Sequence, residues 1–151
     1  MKIDGQNIVE NDEKYEKLLG INIQSNLKWG AHLNKLKSRL KIRLAGLYKL
    51  RFMVPEKNLK LIVQGLFNSN LMYCLPLFGG CDKMEINSLQ LLQNKAANIV
   101  GRFPPRSHRS SIFDKLGWLT INQLIVYHSL VTVYKNRQRR TPEYLATIFR
   151  K

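Results

Sequence analysis

The chain has 151 residues, 44% hydrophobic and 23% charged, with 25 Lys/Arg against 10 Asp/Glu and a formal net charge of +15. The length supports one domain with a real core rather than two comfortable ones, and the apolar content argues against a disordered chain. Five of the ten acids (Asp4, Glu10, Asp12, Glu13, Glu16) fall in the first sixteen residues, so the positive charge is concentrated after them and points to nucleic acid or an anionic membrane surface.

The opening KIDGQNIV places Asp4-Gly5 between short apolar-containing flanks, a two-residue hairpin signal. After the acidic ENDEKYEK, the run LLGINI (18–23) alternates Leu19, Ile21 and Ile23 with Gly20 and Asn22, the pattern of a half-buried strand. Residues 1–25 therefore read as a small β-hairpin or three-strand ribbon that needs something to pack on. Residues 26–151 read as a helical domain. The expected fold is mainly α, an N-terminal β-hairpin or ribbon followed by a bundle of about five or six helices.

Ser25 or Asn26 opens the helical part, and a first helix runs from about Trp29 to Phe52. Leu33, Leu36, Leu40, Leu44 and Leu47 recur at steps of three or four and give it one apolar stripe. Lys35, Arg39, Lys41 and Lys49 fall away from the stripe, Lys37 and Arg43 sit on its shoulders, and Arg51 lies at its end. The stretch 28–60 holds ten Lys/Arg and a single acid, Glu56. Such a helix suits an anionic polymer, and it is also what a merely solvated charged face looks like.

Pro55 suits the first turn of a second helix with Leu59, Ile62, Val63, Leu66 and Phe67 on one face, ending before Pro76 and the Gly79-Gly80 turn. A third helix covers Lys83 to Val100 with Ile86, Leu89, Leu92, Ala96, Ile99 and Val100 inward, stopping near Gly101. The basic, proline-containing RFPPRSHR (102–109) reads as a loop in which Arg102, Arg106 and Arg109 have no evident packing role. Ser110 and Ser111 follow at an expected helix N-terminus suited to a phosphate, Ser111 with Asp114 resembling a capping box and Gly117 closing that helix. Thr120 and Gln123 form a second capping box for a helix through about Arg137 with Ile121, Leu124, Ile125, His128 and Val131 on one face. A last helix is expected in PEYLATIF. The cluster KNRQRR (135–140) reads first as cationic capping of a helix dipole.

Signals of catalysis are absent from the pattern. No carboxylates are spaced to pair for acid–base work, no Asp-Asp dipeptide is present to hold paired metal ions, and His32, His108 and His128 are scattered. Gly79-Gly80 lacks the Lys and Ser/Thr of a phosphate loop. No metal, cofactor or activity is expected of this chain alone. His128, on an apolar face, reads as a hydrogen-bonded core histidine. Cys74 and Cys81, without a secretory leader pattern, read as reduced, buried thiols of an intracellular protein, and no run is long enough to span a membrane.

KIDGQNIV, KYEKLLGINIQSNLKW, the pair Trp29 and His32, the basic helix, YCLPLFGG, LQNKAANIVG, LGWLTI and YKN…TPEYL follow one another over nearly the whole chain. In this order they resemble the C-terminal part of reverse transcriptases from non-LTR (LINE-type, jockey-like) retrotransposons, downstream of the polymerase palm. The resemblance implies that the hairpin and LLGINI, with Leu19 and Gly20, are similar to the primer-grip region, and that the basic helix and its successors correspond to the thumb. It implies RNA or DNA, as an RNA–DNA hybrid or duplex backbone, as partner, together with the missing fingers and palm. It further implies a nuclear or cytoplasmic ribonucleoprotein. The catalytic aspartates of fingers and palm, an endonuclease and a Cys/His zinc knuckle are all missing, so the chain resembles a fragment that begins at an internal methionine. Two rival readings stand beside it: a basic helical module for an acidic protein or anionic membrane, and a pseudogene product without selected function.

Overall fold

Apolar residues spaced by three or four dictate most of the architecture, which is mainly helical after short N-terminal hairpins. The structure, a computed structural model, describes residues 2–3, 6–7, 15–103 and 109–142, with side chains for 15–103 and 111–142. The expected final helix and Arg106 lie outside the described residues. The chain divides into two units, Met1–Lys35 and Leu36–Lys151.

In the first unit, β1 (Lys2–Ile3) pairs antiparallel with β2 (Gln6–Asn7), Ile3 opposite Gln6, as a two-residue hairpin connection demands. The turn residues Asp4 and Gly5 lie outside the described residues. LLGINI is not one strand. β3 (Glu16–Leu18) pairs with β4 (Ile21–Ile23), and Leu19-Gly20 is the turn between them. Leu19 has φ 47° and Gly20 φ 85°, the two positive φ values that a primed hairpin turn requires. Glycine supplies the second freely. The expected alternation fails for this reason: Leu19 is 82% exposed, while Ile21 and Asn22 are both buried.

α1 (Gly30–Leu50) begins in this unit and continues into the second. Its start is held by Gln24, whose Oε1 accepts from the backbone N–H of Ala31 at 3.2 Å. Asn26 instead makes a local turn, its Oδ1 accepting from the N–H of Lys28. Buried His32 accepts through Nδ1 from the backbone N–H of Asn22 at 3.4 Å and so ties β4 to the helix.

In the second unit, Leu36, Leu40, Leu44 and Leu47 of α1 are buried, as the stripe predicts. α2 (Glu56–Val63) continues without a break through a π turn (Gln64–Asn68) into α3 (Ser69–Met72). Leu59, Val63, Phe67 and Leu71 are fully buried, at constant steps of four. Over twelve residues a pure α-helix would rotate Leu71 about 120° away from Leu59. The wide π turn absorbs that drift, and it turns Leu66 outward to 48% exposure, against the sequence expectation.

α3 ends where Tyr73 becomes extended and Cys74 takes φ 55°. The helix thus ends before Pro76, as expected, and Pro76 occupies the first turn of the next short helix, α4 (Leu75–Phe78), where its missing N–H costs nothing. α5 (Lys83–Gly101) opens on Asp82, whose side chain accepts from the N–H of Met84, and buries every residue expected inward. α6 (Arg109–Leu116) begins before Ser111, so that serine is its third residue rather than its cap. The α6 C-terminus is closed by bonds from the N–H of Gly117 to Asp114 and of Trp118 to Phe113. α7 (Ile121–Arg137) has the expected reciprocal capping box of Thr120 and Gln123.

Polar anchoring of α7 comes from α5. Gln90 accepts the N–H of Ile121 and donates to Gln93 and Asn94, and buried Gln93 donates to the carbonyl of Leu119. Cys74 and Cys81 are free and half-buried rather than fully buried.

Candidate nucleic-acid interface

Nine basic residues of the second unit fall into three groups by the partners that the fold gives them. The first is committed internally. Lys37, on the shoulder of the leucine stripe, pairs with Glu85 of α5 at 2.7 Å. Arg43, on the other shoulder, donates to the carbonyl of Leu66, which the π turn presents. Lys60 donates to the carbonyl of Leu116 at 2.8 Å, a cation closing the C-terminus of α6. Arg102 takes the left-handed conformation (φ 52°) at the end of α5 and donates through Nη2 to the carbonyls of Arg51 (2.9 Å) and Val54 (2.7 Å), just past the end of α1.

The second group lies against aromatic rings. The Arg51 guanidinium is 5.4 Å from the Tyr48 ring centroid and 5.2 Å from that of Phe52, and these two rings meet edge to face. Lys115 sits 5.0 Å from the centroid of Phe103.

The third group is Arg39, Lys41 and Lys49. All three are exposed on α1 and make no hydrogen bond or ion pair among the described residues. Their spacing places Lys49 opposite Leu36, Leu40, Leu44 and Leu47, with Arg39 and Lys41 about 80° to either side of it, and no acid lies on α1. From Arg39 to Lys49 the helix rises about 15 Å, the length of roughly four nucleotides of one strand. Lys35 is also exposed, on the part of α1 that belongs to the first unit.

The remaining sequence-derived candidates fall elsewhere. Arg109 is the first residue of α6, its side chain outside the described residues. Leu19 and Gly20 form the β3–β4 turn. Lys135, Arg137, Arg139 and Arg140 are exposed at and beyond the end of α7, where cations favour the helix dipole.

Beside the cationic face lies a groove of about 470 Å³ lined by Leu44, Ala45 and Tyr48 of α1, Arg51, Lys95, Asn98 and Ile99 of α5, and Phe103. Periodicity alone does not disclose it, because its walls come from three separate stretches of chain. The available signal was the Tyr48/Phe52 pair one helical turn apart beside Arg51. A second exposed surface is apolar: Val126, Tyr127, Leu130 and Tyr134 of α7 stand out from the fold, with Leu119 beside them.

Among the described residues no group of three or more His, Cys, Asp or Glu could hold a metal ion, and no helix is long and apolar enough to cross a membrane. The pKa of the Cys81 thiol is raised. Burial pushes it up, the Glu85 and Asp82 carboxylates add to the rise, and a backbone hydrogen bond and Lys37 oppose it. The chain matches no protein-family model, no curated protein and no solved structure.

Proposed function

We propose that this chain is a non-catalytic nucleic-acid-binding module that clasps a template–primer duplex by its backbone. In this reading it is the thumb and adjoining helical part of a non-LTR retrotransposon RNA-directed DNA polymerase. The observation that carries the proposal is the exposed set Arg39, Lys41 and Lys49, spread over the acid-free half of α1 turned away from its leucines and left over after Lys37 and Arg43 have been taken up internally. Three cations on one rigid helix present fixed charge to successive phosphates at little cost in backbone ordering. They carry no hydrogen-bonding pattern for base edges, so binding should be nearly independent of sequence. The order of sequence motifs supplies the link to the reverse-transcriptase family.

The test is the salt dependence of binding to an RNA–DNA hybrid, read by fluorescence anisotropy. With about six cations engaged across the module, log K should fall with log salt at a slope of roughly −5. A slope near zero, or no binding at low salt, refutes the proposal.

A second reading is a helical interaction module with a protein or anionic membrane as partner. The exposed apolar side of α7 (Val126, Tyr127, Leu130, Tyr134) favours it. Co-sedimentation with anionic liposomes in the absence of hybrid binding separates the two.

A further inference from the structure

We infer that the groove between α1 and α5 receives a single unpaired nucleobase, with its phosphate held by the cations at the rim. The inference rests on the nucleic-acid reading above and adds a ligand class that the cationic face by itself does not specify.

The chemistry of the lining leads to a base. Tyr48 is 53% exposed and presents a ring to the groove, and Phe103 supplies a second ring from the segment after α5. Aromatic walls suit flat π systems and stack on any base. Asn98 contributes an amide able both to donate and to accept, as the edge of an unpaired base requires. The charged groups lining the groove are Arg51 and Lys95, both cations, and Lys115 lies against Phe103. Among the described residues no carboxylate lines it. A neutral apolar ligand would gain nothing from that charge, whereas a nucleotide uses the ring walls and the cations together. A base within a duplex has both faces covered by its neighbours and cannot enter. The occupant must be a single-stranded or extruded nucleotide. A volume of this order, within the range of about 300–1,000 Å³ usual for small-ligand clefts, admits one base and its sugar.

The wall at Phe103 depends on Gly101. A Cβ there would overlap the Phe103 ring, so the ring lies across the end of α5 only because the helix finishes on a residue without a side chain. The left-handed turn at Arg102 then redirects the chain toward the groove.

The test uses the full chain and two labelled single strands of equal length, about twelve nucleotides: oligothymidylate and an abasic strand with the same phosphates. A hybrid duplex serves as control. The wild-type chain should bind oligothymidylate about tenfold more tightly than the abasic strand. Tyr48→Ala should remove that preference while duplex affinity changes less than about twofold. Ala45→Trp, a substitution at an exposed lining position that fills the groove, should do the same and covers the case in which Tyr48→Ala does not fold. Equal binding of the two strands by the wild type, or a preference that survives both substitutions, overturns the groove assignment while duplex binding stands. Loss of all three ligands at low salt overturns the nucleic-acid reading itself.

Discussion

Arg102 donates to the carbonyl oxygen of Arg51 at 2.9 Å and, from the same Nη2, to that of Val54 at 2.7 Å, so the last residue shaped by α5 closes the end of α1. Its sequence setting marks Arg102 as a phosphate contact, yet the geometry gives it an internal role. The backbone there is strained, because a non-glycine residue in the left-handed region costs about 1 kcal/mol. Arg102→Ala should lose the clamp and keep the strain. Arg102→Gly should lose the clamp and relieve the strain, leaving it about 1 kcal/mol more stable than the alanine variant in urea denaturation. Wild-type stability in Arg102→Ala, combined with a shallower salt slope, would assign the residue to nucleic acid instead.

The cations of α1 should separate into two phenotypes. Arg39→Ala, Lys41→Ala and Lys49→Ala should each leave stability within about 0.5 kcal/mol and make the salt slope for duplex binding shallower by about one. Lys37→Ala should leave the slope unchanged and cost up to about 1 kcal/mol, because Lys37 and Glu85 are partly buried together. Urea melts and anisotropy titrations on the same four variants decide it. A uniform effect across all four would mean that the helix carries an undifferentiated charged face.

The π turn carries a length prediction. Deleting Gly65, which has open space around it, should convert 64–68 to regular α-helix with Phe67 and Leu71 still on the buried face, since the steps from Leu59 become four, three and four. The variant should fold with unchanged helical circular dichroism and a cooperative melt. Deleting Asn94 from the regular helix α5 should rotate Ala96, Ile99 and Val100 by about 100° and abolish cooperative melting. Failure of the Gly65 deletion to fold would show that the part-buried Asn68–Gln64 hydrogen bond, rather than register, requires the wide turn.

Cys81 supplies a pH-dependent test. A raised thiol pKa means less thiolate at any pH below it, and the thiolate is the reactive species. In a Cys74→Ser background, Cys81 should react with a disulfide reagent at pH 8 severalfold more slowly than the same thiol in the urea-unfolded chain. Glu85→Gln removes a carboxylate that raises the pKa and leaves Lys37 without its partner, so both changes act in the same direction and the rate should rise. A slower reaction in Glu85→Gln would contradict the electrostatic account.

The leucine stripe of α1, the inward set of α5 and the Thr120–Gln123 capping box were legible from sequence because each depends on residues within a few positions of one another. Helix periodicity and side-chain capping are local, so the chain itself determines a mainly helical fold with a cationic face on its first long helix. Tertiary structure decided what spacing cannot encode. Leu19 reads as a strand residue and became a turn residue, because pairing of Glu16–Leu18 with Ile21–Ile23 leaves two residues to reverse the chain. Leu66 reads as core and became exposed, because the buried row of the second helix advances by fours through a π turn. Above all, equal charges in the basic stretch received unequal roles. Lys37, Arg43, Lys60 and Arg102 found a carboxylate or a backbone carbonyl within hydrogen-bond reach, while Arg39, Lys41 and Lys49 did not. A charge is local, but its partner comes from a distant segment that only folding brings near.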